Sequence, residues 1–197
     1  MLTLSKYLKI HVLLLNMTLV DHIMDKSITL LQASEKGHFD VVKFLIDNGS
    51  DIHAVNTNGD TALHRASLEG HLDVVKFLVE KGSDIHAVDN DGSTALHRAS
   101  FWGHLDTVKF LVDKGANIHA VDNDGYTALH CASGKGHLDV VKFLVDEGAD
   151  IHAAGNIRGD TALHRASFWG HLDTFKFLVD RGANIHAVSN DGYTALH

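Results

Sequence analysis

The chain has 197 residues, of which 45% are hydrophobic and 21% are charged, the usual balance of a soluble folded protein. Its formal net charge of −8 argues against sequence-independent binding to the phosphates of nucleic acids. The one cysteine, Cys131, cannot form a disulfide within the chain, so an intracellular location, in the cytoplasm or nucleus, fits better than secretion.

Residues 1–27 contain an apolar run, Ile10 to Leu15, preceded by two lysines. The run is too short to cross a bilayer, and no small-x-small cleavage site follows it. We therefore predict no membrane association, and a targeting role for this segment is the disfavoured alternative.

From residue 28 onward the sequence repeats with a period of 33 residues. The string T-A-L-H begins at Thr61, Thr94, Thr127, Thr161 and Thr194. The single 34-residue step contains an extra residue between Gly148 and Thr161, and an insertion tolerated there indicates a surface loop. We predict five repeats, at 28–60, 61–93, 94–126, 127–160 and 161–193, and the start of a truncated sixth at 194–197.

Each repeat is predicted to form two short helices and an extended turn. In the repeat 61–93, Thr61 can cap the first helix and Gly70 ends it. The second helix, in the string LDVVKFLVEK, is apolar on nearly every side, and Gly82 follows at the position of a left-handed cap. Asp-Gly in the remaining stretch is typical of a hairpin. One such unit cannot bury its own apolar surface, so the units must stack.

One repeat unit has the sequence TALHRASLEGHLDVVKFLVEKGSDIHAVDNDG. It resembles the ankyrin repeat, and it matches that family's pattern of T-P-L-H-x-A followed by G-H-L at all but one position. The resemblance covers residues 28–197. It implies an all-α solenoid of stacked helix-turn-helix units, with short β-hairpin loops projecting from one edge. The family's proline is replaced by alanine in every repeat, and a histidine stands near each turn where asparagine is usual.

The two ends of the chain differ from the repeats between them. Shifted by 33 residues, residues 5–27 align with the second helix and hairpin of a unit, with Asn16 at the glycine cap position. We therefore interpret residues 1–27 as a degenerate half-repeat that caps the stack. No polar cap is visible at the other end, which predicts either a fragment of a longer protein or a surface prone to self-association.

The 17 histidines suggest a metal site. Most of them form three ladders, in the T-A-L-H strings, after the Gly-His glycines and near the turns. Zinc ligands must converge within about 2 Å of one point, whereas equivalent residues of stacked repeats are roughly 10 Å apart. We therefore predict hydrogen bonding at helix starts and turns, and no metal or other cofactor.

Catalysis requires a unique group of reacting residues, and nearly every polar residue here recurs in each repeat. Cys131 is unique, but it replaces the arginine of the neighbouring repeats, and its neighbour His130 would not face it on a helix. The sequence therefore predicts no enzymatic activity.

The positions at which the repeats disagree are free to specialise, and they lie at the hairpin tips and at the ends of the first helices. In ankyrin repeat proteins these positions line a concave groove, so the resemblance implies a protein-binding surface there. The two Phe-Trp pairs, two repeats apart, and a ladder of arginines favour a groove that accepts apolar anchors and acidic groups. The predicted partner-binding residues are Arg65, Leu68, Glu69, Asn90, Asp91, Arg98, Phe101, Trp102, Asn123, Asp124, Tyr126, Lys135, Arg165, Phe168, Trp169 and Tyr193.

The predicted function is therefore recognition of a partner protein through the concave groove and the hairpin tips. Two alternatives stay open. The stack is a scaffold or spacer that self-associates through its uncapped C-terminal end, or it is part of a larger protein whose active domain lies elsewhere.

Overall fold

The computed structural model describes residues 26–155 and 158–196. The predicted half-repeat cap therefore lies, apart from residues 26 and 27, outside the described residues. The helices are α1 Lys26–Glu35, α2 Phe39–Asp47, α3 Ala62–Glu69, α4 Leu72–Glu80, α5 Ala95–Trp102, α6 Leu105–Asp113, α7 Ala128–Lys135, α8 Leu138–Asp146, α9 Ala162–Phe168 and α10 Leu172–Asp180. One antiparallel ladder, of β1 Ala154–Gly155 and β2 Asp160–Thr161, precedes α9.

The first helices α3, α5, α7 and α9 each begin at a threonine cap, as predicted. Thr61 has an extended backbone, and its Oγ1 accepts the His64 backbone N–H at 3.3 Å. In return, the Thr61 N–H donates to His64 Nδ1 at 3.1 Å. This reciprocal capping box satisfies two backbone donors that a helix start leaves open. The histidine of T-A-L-H is thus part of the cap.

The second helices provide much of the core. In α4, Val74, Val75 and Leu78 are fully buried, which explains why the helix is apolar on nearly every side. After α4 the chain turns at Gly82 with φ of +95°, a left-handed conformation that glycine adopts without strain. The predicted left-handed position is confirmed.

The helices form two layers. The first helices α1, α3, α5, α7 and α9 pack side by side in one layer, and the second helices pack in the other. Small buried side chains such as Ala62 and Ala66 let the first helices approach one another more closely than the second helices do. The stack must therefore bend toward the first-helix side. The predicted helical solenoid is confirmed.

Histidine rings connect successive helix pairs. His64 Nδ1 accepts from Thr61, so its proton resides on Nε2, which donates to the carbonyl oxygen of Ser93 at 3.0 Å. His71, after the Gly-His glycine, donates from Nε2 to the carbonyl oxygen of Glu35 at 2.9 Å. The later repeats reproduce both contacts. Hydrogen bonding as the role of these two ladders is confirmed.

The tips between helix pairs are tight turns in most repeats, and the described residues contain just one short ladder. The Asp89 Oδ1 accepts the backbone N–H groups of Asp91 and Ser93, so the side chain closes the turn where a longer strand pair would otherwise form. Neighbouring tips are bonded together, because Asn90 donates from its backbone N–H to Asn58 and from Nδ2 to Thr57. With the bond from Asn123 to Asn90, the tips of three successive repeats are therefore joined along this edge of the stack.

Candidate functional site

The candidate site lies where the first helices meet the tips. The T-A-L-H-R string places each arginine one residue after the capping histidine, close to the tip that precedes its helix. The Phe-Trp pairs lie at the other, C-terminal ends of α5 and α9. Because α3, α5, α7 and α9 begin at the same threonine cap, equivalent side chains stand in register along the stack.

The arginine ladder consists of Arg65, Arg98 and Arg165, each of which follows a T-A-L-H string. The first two already have carboxylate partners in their own chain. The Arg65 guanidinium lies 2.7 Å from Glu35 Oε2 and 3.4 Å from Asp60. Arg98 donates from Nε at 2.9 Å and from Nη2 at 2.5 Å to Oδ2 of Asp89, whose side chain is completely buried. The expectation that the ladder offers free cations to acidic groups therefore does not hold for these two residues.

Arg165 has a different environment. Its guanidinium lies over the Tyr126 ring at 4.6 Å from the centroid, and Nη1 is 3.4 Å from Tyr126 Oη. It forms no ion pair among the described residues. Gly134 makes room for it, since a Cβ there would lie 3.2 Å from Arg165 Nε.

The Phe-Trp pairs form an exposed surface. Phe101 and Trp102 contact edge to face at 5.5 Å, and Phe168 and Trp169 at 5.2 Å. Both tryptophans are 54% exposed. The Lys135 ammonium lies between the pairs, 4.4 Å from the Phe101 centroid and 5.8 Å from that of Trp169. We call these five residues the aromatic surface.

A concave pocket of about 550 Å³ adjoins the aromatic surface, and we call it the central pocket. Nine predicted site residues line it: Leu68, Asp91, Arg98, Phe101, Trp102, Asn123, Asp124, Tyr126 and Arg165. Five further lining residues were not predicted: Ser93, His97, Asp122, His130 and Cys131. Asp122 could have been found from spacing, because Arg98 follows Asp89 by nine residues and the same spacing from Asp122 leads to Cys131.

The other predicted residues lie outside the pocket lining: Arg65, Glu69, Asn90, Lys135, Phe168, Trp169 and Tyr193. Glu69 and Tyr193 are exposed. The side-chain amides of Asn90 and Asn123 are bonded to the preceding tip, with Asn123 Nδ2 2.9 Å from the Asn90 carbonyl oxygen. These two amides contribute to the architecture of the tips as well as to the surface.

Burial sets the protonation of the capping histidines and of the cysteine. It lowers the pKa of His64 and His97 below 6.5, and it lowers the pKa of His130 to about 4. These rings are therefore neutral at pH 7. Burial, assisted by the Asp122 charge, raises the pKa of the Cys131 thiol to about 12. Cys131 is thus protonated at neutral pH, whereas a cysteine nucleophile reacts as the thiolate.

No three histidine, cysteine or acidic side chains converge as metal ligands would within residues 26–155 and 158–196. The third histidine ladder includes His53, His86 and His119, which are exposed at the turns. Their backbone N–H groups donate to the side chain two residues earlier. No helix in the described part of the chain is long and apolar enough to cross a membrane.

Comparison with known proteins agrees with this architecture. The family model described as "Ankyrin repeats (3 copies)" matches residues 7–89, 30–122, 82–155 and 117–189. A putative ankyrin repeat protein of Acanthamoeba polyphaga mimivirus is 49% identical over 49 residues, which are 23% of this chain and 38% of that protein. The human ankyrin repeat and KH domain-containing protein 1 is 46% identical over 37 residues, 19% of this chain and 2% of that protein.

These matches span well under two thirds of either relative. Ankyrin repeats are generally modules of protein–protein interaction, and they are typically not enzymes. With the family model covering most of its length and with its stacked, threonine-capped helix pairs, this chain belongs to the ankyrin repeat family.

Proposed function

We propose that the chain binds a partner protein through the first-helix side of the stack and the tips, with the aromatic surface supplying most of the affinity. The observation that carries the proposal is the pair of exposed Phe-Trp contacts with Lys135 between them. The neighbouring predicted site residues would form the polar rim around these anchors.

The energetic argument rests on exposed aromatic area. A tryptophan that is 54% exposed has much apolar surface left to bury against a partner. Tryptophan is also enriched among the few residues that dominate binding energy at interfaces. The tight helix packing behind these side chains limits the entropy lost when a partner binds. The one cysteine of the chain favours an intracellular partner.

Capture from cell lysate tests the proposal. The aromatic variant replaces Phe101, Trp102, Phe168 and Trp169 by alanine. A matched control variant replaces Val55, Val88, Val121 and Val188, which are 57–61% exposed and outside the central pocket. We expect the wild type and the valine variant to capture the same proteins, and the aromatic variant to lose them, with affinity reduced at least tenfold.

Circular dichroism of both variants establishes that they remain folded. If the aromatic variant captured the same proteins with unchanged affinity, the aromatic surface would not be the binding site. Loss of the captured proteins in the valine variant instead would show that the turns, and not the aromatic surface, supply most of the affinity.

One observation favours self-association as a second function. Leu172 at the start of α10 is 58% exposed, and Phe168 and Leu196 are 75% and 66% exposed. The equivalent leucines of earlier repeats, such as Leu105, are only partly exposed. A second copy stacked on this face would cover the three side chains. If the chain self-associates in this way, the mass measured by light scattering should rise with concentration for the wild type and should stay that of a monomer for Leu172→Lys. A monomer mass for both proteins would contradict self-association.

A further inference from the structure

The central pocket contains a carboxylate whose arginine is missing from this chain. Arg98 follows Asp89 by nine residues and pairs with it, whereas the residue nine positions after Asp122 is Cys131. Asp122 forms no ion pair among the described residues. The neighbouring repeat thus shows what this position ordinarily holds, namely a guanidinium.

Asp122 is held in the orientation that Asp89 has. Oδ1 of Asp89 accepts the N–H groups of the residues two and four positions later at 2.9 and 3.0 Å, and its Oδ2 receives the Arg98 guanidinium. Oδ1 of Asp122 accepts the N–H groups of Asp124 and Tyr126 at 3.0 and 2.8 Å. Two backbone donors therefore fix the carboxylate and leave Oδ2 for a ligand.

The space for a ligand adjoins this carboxylate. Asp122 and Cys131 both line the central pocket of about 550 Å³. A thiol occupies far less of that space than an arginine side chain would. Phe101 and Trp102 line the same pocket, and a guanidinium can stack on aromatic rings of this kind.

The charges around the pocket favour a cation. Arg98 is neutralised by the buried Asp89. The other charged lining residues are Asp91, which also lies 3.4 Å from Arg98, and Asp122, Asp124 and Arg165, so acidic groups predominate. Arg165 is held over the Tyr126 ring and does not pair with Asp122. The net charge of −8 on the whole chain adds attraction for a basic partner.

We propose that the central pocket receives an arginine side chain of the partner protein, whose guanidinium pairs with Asp122 Oδ2 in the place that Arg98 takes beside Asp89. The proposal deepens the proposed function and rests on it. Arginine suits the site better than lysine, because Arg98 gives Asp89 two N–H donors and because a planar guanidinium also stacks on aromatic rings.

The test uses the tripeptide acetyl-Gly-Arg-Gly-amide, followed by the Trp102 indole resonance of the full chain. The matched ligand carries citrulline, which has nearly the same shape without the charge, and a third peptide carries glutamate. We expect the arginine peptide to bind at least tenfold more tightly than the citrulline peptide. Binding of the glutamate peptide in its place would overturn the proposal in favour of an anion site at Arg165.

Two variants locate the site. Asp122→Asn keeps the Oδ1 acceptor but removes the charge, and it should weaken the arginine peptide at least tenfold. Cys131→Arg should abolish binding by refilling the position internally. If Cys131→Arg did not fold, Asp122→Asn would still decide the question, since unchanged binding to that variant would overturn the proposal.

The outcomes separate this proposal from the proposed function. If the aromatic variant lost its captured proteins while no peptide bound the central pocket, only the arginine site would be wrong. The arginine peptide could instead bind through Asp122 while the aromatic variant captured the same proteins as the wild type. The aromatic surface would then not be the binding site, and the central pocket would remain a site for arginine.

Discussion

Lowering the pH from 7 to 4 is expected to destabilise the stack by several kcal/mol. His130 alone accounts for about 3 kcal/mol, because its pKa falls from 6.5 in the unfolded chain to about 4 in the folded one. His64 and His97 add to the loss, since burial lowers the pKa of each. All three rings are nearly fully buried.

The direction of this pH effect on stability follows from the number of protons that each state binds. A buried neutral histidine binds fewer protons than the same residue in the unfolded chain, so protons stabilise the unfolded state. The contribution to stability is complete above pH 6.5 and is lost progressively as the pH falls toward 4. Protonation also places a second proton on Nδ1, which opposes the donated N–H of the capping threonine.

Urea unfolding at pH 7, 6, 5 and 4.5 measures the effect. The variant His130→Gln should be less stable at pH 7 and should have a shallower dependence on pH than the wild type. The control is His86→Gln at an exposed turn, which should leave the free energy of unfolding at pH 7 unchanged. A free energy of unfolding that stays constant from pH 6.5 to 4.5 would show that these rings are not buried as neutral caps.

Replacing Gly103 by alanine is expected to lower the free energy of unfolding by about 2–4 kcal/mol. Gly103 has φ of +76°, and a Cβ there would overlap the ring of His137. The ring would have to move, which breaks the 3.0 Å bond from His137 Nε2 to the Phe101 carbonyl oxygen. The free energy of unfolding is therefore lowered both by the backbone strain and by the lost contact between repeats.

Gly115 is the matched control. It has φ of +90°, but a Cβ there meets nothing within 4 Å. Gly115→Ala should therefore cost only the backbone strain, about 1–2 kcal/mol. The extra loss at Gly103 should largely disappear when His137 is also replaced by alanine. Equal losses for Gly103→Ala and Gly115→Ala would mean that the histidine contact does not stabilise the stack.

The fold could be predicted from the sequence because its causes are local and repeated. A threonine before an apolar turn, a glycine at each reversal and a 33-residue period together specify a stack of helix pairs. The role of Thr61 and the left-handed Gly82 both follow from the residue type. Even the histidine rings could be assigned to hydrogen bonding, because stacking distance keeps equivalent residues too far apart to share a metal.

The candidate site was predicted less completely, because it depends on contacts between repeats. Arg65 pairs with Glu35 of the preceding helix pair, and only the register of the stack brings them together. The tips held fewer strands than the Asp-Gly signal indicates, since aspartate side chains such as that of Asp89 bond the turn backbone themselves. The spacing from Asp122 to Cys131 can be read in the sequence, but its meaning depends on the contact between Arg98 and Asp89, which the structure supplies.

The central claim is that partners bind at the aromatic surface, and its most direct test uses the two tryptophans of the chain. Both Trp102 and Trp169 lie on that surface, so incorporation of 5-fluorotryptophan places a ¹⁹F label on each of its aromatic pairs. An unlabelled partner adds no ¹⁹F signal of its own. We predict that saturation with a captured partner shifts or broadens both resonances, whereas two unchanged resonances at saturation would contradict binding at the aromatic surface.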